Sequence, residues 1–160
     1  VLHYVPKYYA PHAVQLTFSE SAPAEKAVSR LYDQACKALK ISRGIFQDQD
    51  ILFWKDVGYR GLFFDLSEEK RRHFVSGTLK ALADAPGSMD LINTLRCYLD
   101  QNCNIVHTAQ MMFLHKNTLN YRLNRIRELL GKNPSDPDTR INLRMALDIM
   151  LIFPEEHYFS

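Results

Sequence analysis

The chain has 160 residues, 46% of them hydrophobic and 24% charged, with 20 Lys and Arg against 18 Asp and Glu and a net charge of +2. That composition belongs to a globular protein able to bury a core, and it excludes a low-complexity or highly charged disordered chain. So small a net charge excludes a whole-chain electrostatic argument for nucleic acid, leaving only local clustering to carry one.

Cys36, Cys97 and Cys103 are odd in number and irregularly spaced, with no CxxC pair. This is no disulfide framework and fits a reducing, cytoplasmic setting. No apolar run approaches the roughly 20 residues of a membrane span. The opening VLHYVPKYYAPHAV lacks the charged start and apolar block of a signal peptide. It begins on Val1 rather than Met, which favours a piece of a longer chain.

In chain order, AVQLTF (13–18) reads as a strand. Between Pro23 and Ser42, Ala27, Val28, Leu31, Ala35, Ala38 and Leu39 keep helical spacing, with Ser21 or Ala22 ahead of Pro23 as a start signal. ILFW (51–54) reads as a short buried strand, and DVGYRGLFFDL leaves helix and strand unresolved. From Ser67 the pattern becomes helical: SEEKRRHFVSGTLKALADAPG is a helix ended near Pro86-Gly87, followed by helices over about 89–101, 105–113, 116–130 and 138–152. NPSDPD (133–138) is a turn cluster. A boundary near residue 66 therefore separates a small α/β part (1–66) from a helical part (67–160).

The segment from Asn104 to Gly131 carries the functional argument. Its first helix has Val106, Ala109, Gln110 and Met112-Phe113 as an apolar side, with Ala109 small enough for a close crossing. Its second helix is basic, with Lys116, Arg122, Arg125 and Arg127 and no acid before Glu128. Two short helices joined by a tight turn, the second one basic, form the arrangement that enters the DNA major groove. At roughly 100° per residue, Leu119, Leu123, Ile126 and Leu130 share a narrow arc, while Asn117, Thr118, Tyr121, Arg122 and Arg125 occupy the opposite side. Asn and Arg make bidentate hydrogen bonds to adenine and guanine edges, and Thr, Tyr and Lys bind phosphate. The alternative is a basic amphipathic helix that docks on an acidic protein. The turn holds Phe113 and Leu114 where helix-turn-helix turns often have glycine.

Other candidates have blander readings. Cys97, Cys103, His107 and His115 lack the spacing of a zinc site. His115 stands at a helix start, with no nucleophile or carboxylate nearby in sequence to make it a catalytic base. Glu68-Glu69 and Asp136 with Asp138 lie at helix starts, where negative charge is favoured. Tyr8-Tyr9 and Phe63-Phe64 read as packing residues. No P-loop, GxGxxG, HExxH or GxSxG motif is present, so the sequence supports neither an enzyme nor a cofactor.

TAQMMFLHKNTLNYRLNRIRELLG followed by DPDTRINLRMALDIMLI resembles the carboxy-terminal domain of the PucR-type regulators, which include bacterial purine-catabolism and sugar-diacid regulators. The matching residues are Thr108-Ala109, then His115, Asn117, Thr118, Leu119, Tyr121, Arg122 and Leu123, then Arg140, Leu143, Ala146 and Leu147. DLINTLRCYLDQN resembles the helix that precedes the family's helix-turn-helix, so the likeness runs from Asp90 to about Ile152. Met111-Met112-Phe113 is bulkier than the family's turn leads one to expect. SAPAEKAVSRLYDQACKAL and ILFWKDVGYRGLFFDL look like the end of a sugar-diacid regulator's regulatory domain.

The resemblance implies a mainly α fold: a Fis-like helix-turn-helix bundle, with the helix pair at about 105–130, preceded by a small α/β remnant of a regulatory domain. It implies a cytoplasmic bacterial transcription factor that binds double-stranded DNA and answers to a small-molecule effector held by the rest of the regulatory domain; a homodimer is expected because one short helix buries little surface and paired half-sites multiply affinity. The expected DNA-binding residues are Thr108, Lys116, Asn117, Thr118, Tyr121, Arg122 and Arg125, with no metal and no membrane partner.

Overall fold

The structure is a computed structural model that describes residues 15–21, 28–47 and 49–159. Its chain contacts divide into two units. One is Val1–Ser67 with Leu151–Pro154, and the other is Glu68–Met150 with Glu155–Ser160.

In the first unit, strand β1 (Leu16–Phe18) and strand β2 (Ile51–Phe53) pair in parallel, with Leu16 opposite Ile51 and Phe18 opposite Phe53. Parallel neighbours need a crossover, and helix α1 (Val28–Ile45) supplies it. The first residues of the expected strand, 13 and 14, and the expected helix start at Pro23 lie outside the described residues, as do Tyr8 and Tyr9. Leu52 is buried between two exposed neighbours, the alternation of a strand with one covered face. On the other face Phe18 and Phe53 stack with centroids 5.1 Å apart.

After β2 the chain forms 3-10 helix at Trp54–Asp56, so Trp54 falls outside the expected strand, and at Gly58–Asp65, which settles most of DVGYRGLFFDL as 3-10 helix. Phe63 is buried and Phe64 packs on Phe153, so both serve packing. Gly44 of α1 lies so close to the Leu151 carbonyl that a Cβ there would collide with it.

The second unit is helical: α2 (Glu68–Ala83), α3 (Ser88–Asp100), α4 (Ile105–Met111), α5 (Lys116–Leu130) and, as far as Met150, α6, which begins at Pro137 and runs to Ile152. The chain is mainly α, as expected. Its core takes Val75, Leu79 and Leu82 from α2, Leu91, Leu95 and Leu99 from α3, and Leu119, Leu123 and Ile126 from α5. Leu143, Ala146 and Leu147 of α6 are buried as well. Helix α5 packs against α2, α3 and α4, so one apolar stripe is held from three directions.

Sequence chemistry sets the helix ends. Asn104 caps α4 through Oδ1, which accepts from the N–H groups of Val106 and His107 at 2.9 and 3.1 Å. Gly131 ends α5 at φ 62°, a left-handed position suited to glycine. Pro137 opens α6, where its missing N–H costs no hydrogen bond. Among the described residues, no helix is long and apolar enough to cross a membrane.

Candidate nucleic-acid interface

Helix α4, a turn and α5 form the pair that the charge pattern singles out. Helix α4 stops at Met111, two residues before the expected end, because Phe113 adopts φ 53°. The Phe113 N–H donates to the Gln110 carbonyl at 3.1 Å and the Leu114 N–H to the Ala109 carbonyl at 2.9 Å. These two bonds make a Schellman motif, and Phe113 occupies its left-handed position, where glycine is the usual residue. A bulky side chain there costs on the order of 1–2 kcal/mol of backbone strain. The Phe113 side chain is nonetheless 96% exposed.

Helix α5 then starts on His115, whose extended backbone and side chain cap it: Nδ1 accepts from the Asn117 N–H at 3.3 Å. That bond needs a lone pair on Nδ1, which the Nε2–H tautomer of the imidazole supplies. Burial of Leu119, Leu123 and Ile126 fixes the helix's rotation. It leaves Lys116, Asn117, Thr118, Tyr121 and Arg125 exposed, with Tyr121 71% accessible. The structure thus gathers five of the seven sequence-selected residues on one open surface.

The other two are placed differently. Thr108 is fully buried, its hydroxyl and N–H both donating to the Asn104 carbonyl, at 2.6 and 2.9 Å. It packs and ties the first turn of α4, so this structure shows its side chain buried rather than on the open surface of α5. Arg122 turns toward α3: Nη2 donates to Asp90 Oδ2 at 3.0 Å and Nη1 to Thr94 Oγ1 at 3.3 Å. Only 22% of its side chain is exposed.

The face is also less free of acid than the α5 sequence suggests. Arg125 pairs with Glu128 at 3.2 Å, and Arg127 donates to Asn124 Oδ1 at 2.9 Å. Asp90 adds a carboxylate from 32 residues away in sequence. Such exposed pairs are worth about 0.2–1 kcal/mol each, so a phosphate can compete for the arginines. Tyr121, Arg122, Asn124, Arg125 and Glu128 line a cleft of about 680 Å³ with Pro86, Gly87, Asp90 and Leu91.

Two residues escaped sequence reasoning. Asn104 was not singled out as a cap, although Asn before an apolar run is a start signal. Asp90 could be linked to Arg122 only through the packing of α3 on α5. The zinc candidates do not assemble: among the described residues, no three His, Cys, Asp or Glu side chains gather as a metal site. Burial, with help from the Asp100 charge, pushes the Cys97 thiol up, which disfavours the thiolate a metal would need.

Comparison with known proteins agrees with this geometry. The purine catabolism regulatory protein of Bacillus subtilis (strain 168) is 41% identical over 83 residues, covering 51% of this chain and 16% of that protein. The proline-responsive transcriptional activator PutR of the same organism is 38% identical over 131 residues, 78% of this chain and 31% of that protein. The carbohydrate diacid regulator of Escherichia coli (strain K12) is 27% identical over 123 residues, 77% of this chain and 32% of that protein. The chain thus spans a third or less of the length of these relatives. Residues 91–149, from the first turn of α3 to near the end of α6, match the family model of the PucR C-terminal helix-turn-helix domain, and the chain carries a domain of that family.

Proposed function

We propose that this chain is the DNA-binding end of a bacterial transcription regulator and that α5 enters the major groove of double-stranded DNA. The observation that carries this reading is the amino end of α5. There a helix anchored by three buried side chains presents Lys116, Asn117, Thr118 and Tyr121 to solvent directly after a tight turn from α4. In a helix-turn-helix, the amino-terminal residues of the second helix meet the base edges.

In this reading Asn117 hydrogen-bonds a base, with adenine the natural partner. Lys116, Thr118 and Tyr121 bind phosphate, aided by the positive end of the helix dipole. Arg125 exchanges Glu128 for a phosphate. Arg122 positions α5 against α3, and its part in base reading is secondary. Residues 67–160 act as the DNA-binding domain and 1–66 as the end of a regulatory domain.

The relatives' names tie them to purine catabolism, proline and carbohydrate diacids, so the whole regulator is read as cytoplasmic and responsive to a small-molecule effector. A homodimer fits as well, because one short helix buries little surface and paired half-sites raise affinity.

The test is selection from a random duplex-DNA pool at near-physiological salt, with a Lys116→Ala/Asn117→Ala double variant in parallel. An enriched motif that the double variant loses supports the reading, and palindromic half-sites spaced by whole helical turns support the dimer. A folded protein that enriches nothing, even when forced to dimerise, counts against it and favours docking on an acidic protein.

A further inference from the structure

Phe113 has the most exposed large apolar side chain among the described residues, and it also occupies a left-handed backbone position. Two unfavourable features coincide at one residue. Glycine would remove both, relieving the backbone and taking an apolar ring out of water. Nothing in the fold requires a phenylalanine there: the hydrogen bonds of the turn are backbone bonds, open to any residue with an N–H. Phe113 precedes the His115 cap by two residues, just before the amino end of α5 with its exposed Lys116 and Asn117. That is the end of the helix which major-groove docking brings against base edges. The apolar feature of a base pair in that groove is the thymine C5 methyl, for which phenylalanine is a suitable contact.

We propose that Phe113 is a specificity-determining residue whose ring packs on a thymine C5 methyl next to the bases met by α5. This inference rests on the DNA-binding reading above. Met111, two residues earlier, is a second exposed apolar side chain in this stretch.

The test uses duplexes carrying the selected motif in which each thymine is replaced in turn by deoxyuridine, which removes only the methyl group. Binding is measured for wild type, Phe113→Gly and Phe113→Asn, both variants being residues that tolerate the left-handed position. Wild type should weaken about four-fold at one position, the worth of one buried methyl-sized group. Both variants should bind the two duplexes equally there while melting no lower than wild type. A motif with no methyl-sensitive thymine, or one at which the variants keep the full sensitivity, overturns the role of Phe113 and leaves the DNA reading standing. Absence of any selected motif for folded wild type, forced dimer included, overturns both.

Discussion

The Arg122 guanidinium reaches from α5 to Asp90 in the first turn of α3, with Nη2 and Oδ2 3.0 Å apart, and its other terminal nitrogen bonds Thr94. An arginine chosen from the helical wheel as a base reader is thus engaged in holding two helices together. The Asp90 side chain is largely exposed, so the pair is worth under about 1 kcal/mol. Arg122→Ala should cost roughly that much stability and leave the selected DNA motif unchanged. Asp90→Asn should raise affinity several-fold on every sequence, because it removes a carboxylate beside the candidate interface, and should steepen the salt dependence by about one unit. Chemical denaturation and binding titrations at several salt concentrations check both. Relaxed preference at one base position in Arg122→Ala would mean that the side chain leaves Asp90 on binding and reads that base.

A second contrast separates the cap of α4 from its buried threonine. Asn104 Oδ1 accepts two first-turn N–H groups, whereas the Thr108 hydroxyl donates to a carbonyl that already accepts the Thr108 N–H. Asn104→Ala should therefore cost about 1 kcal/mol of stability through loss of the cap. Thr108→Val keeps the volume and leaves no acceptor unsatisfied, so its cost should be at or below about 1 kcal/mol. Its DNA affinity should equal that of wild type. A loss of affinity in folded Thr108→Val, measured by titration against the selected duplex, would reinstate Thr108 as a contact.

These cases show which parts of the molecule could be read from the sequence. Of the expected stripe, Leu119, Leu123 and Ile126 are buried and Leu130 is half-buried, and it was legible because helical periodicity is local and an apolar side chain recurs at each turn. The exposed set Lys116, Asn117, Thr118 and Tyr121 followed as its complement. Arg122 sits near the edge of that stripe, where α3 decides its environment, and Asp90 is too far along the chain for any local pattern to include it. The turn was misjudged for another reason. The absence of glycine weakened the expected match, yet Phe113 adopts glycine's conformation with the same backbone bonds. In the front half both strands were legible, though each expected run is longer than the three residues that pair, while the 3-10 stretch carries too few periods for a pattern to register.

Near the carboxyl end, Arg71 of α2 and Glu156 form a forked pair, with Nε 2.9 and 3.2 Å from the two carboxylate oxygens. Their side chains are 11% and 6% exposed, so the pair has little solvent around it. Glu156→Ala removes the carboxylate from a nearly buried guanidinium, and the expected loss is about 3 kcal/mol, seen as a lower denaturation midpoint. Replacing both charges with apolar residues of similar size, as in Arg71→Met/Glu156→Leu, should recover most of it, since desolvating the pair offsets much of its attraction. A double variant no more stable than Glu156→Ala would show that the tail needs the ion pair itself.

Tyr158 lies in the same cluster, buried, with its hydroxyl 3.4 Å from the Ile149 carbonyl. Burial raises its pKa well above the ordinary tyrosine range, the Glu156 carboxylate raises it further, and Arg71 opposes them. The folded state therefore holds this proton more tightly than the unfolded chain does. The sign follows: the contribution is fully present below the unfolded tyrosine value of about 10 and is lost as pH rises from there toward the higher folded value. Tyr98 is shifted the same way by burial, so an alkaline fall in stability has more than one source. Tyr158→Phe should lose only the part belonging to Tyr158. Urea midpoints for wild type and variant should run parallel from pH 7 to 9 and converge above about pH 10, as wild type falls more steeply. Parallel curves through pH 11 would mean that Tyr158 ionises as readily in the folded protein as in the unfolded chain, and that its burial is relieved before the proton leaves.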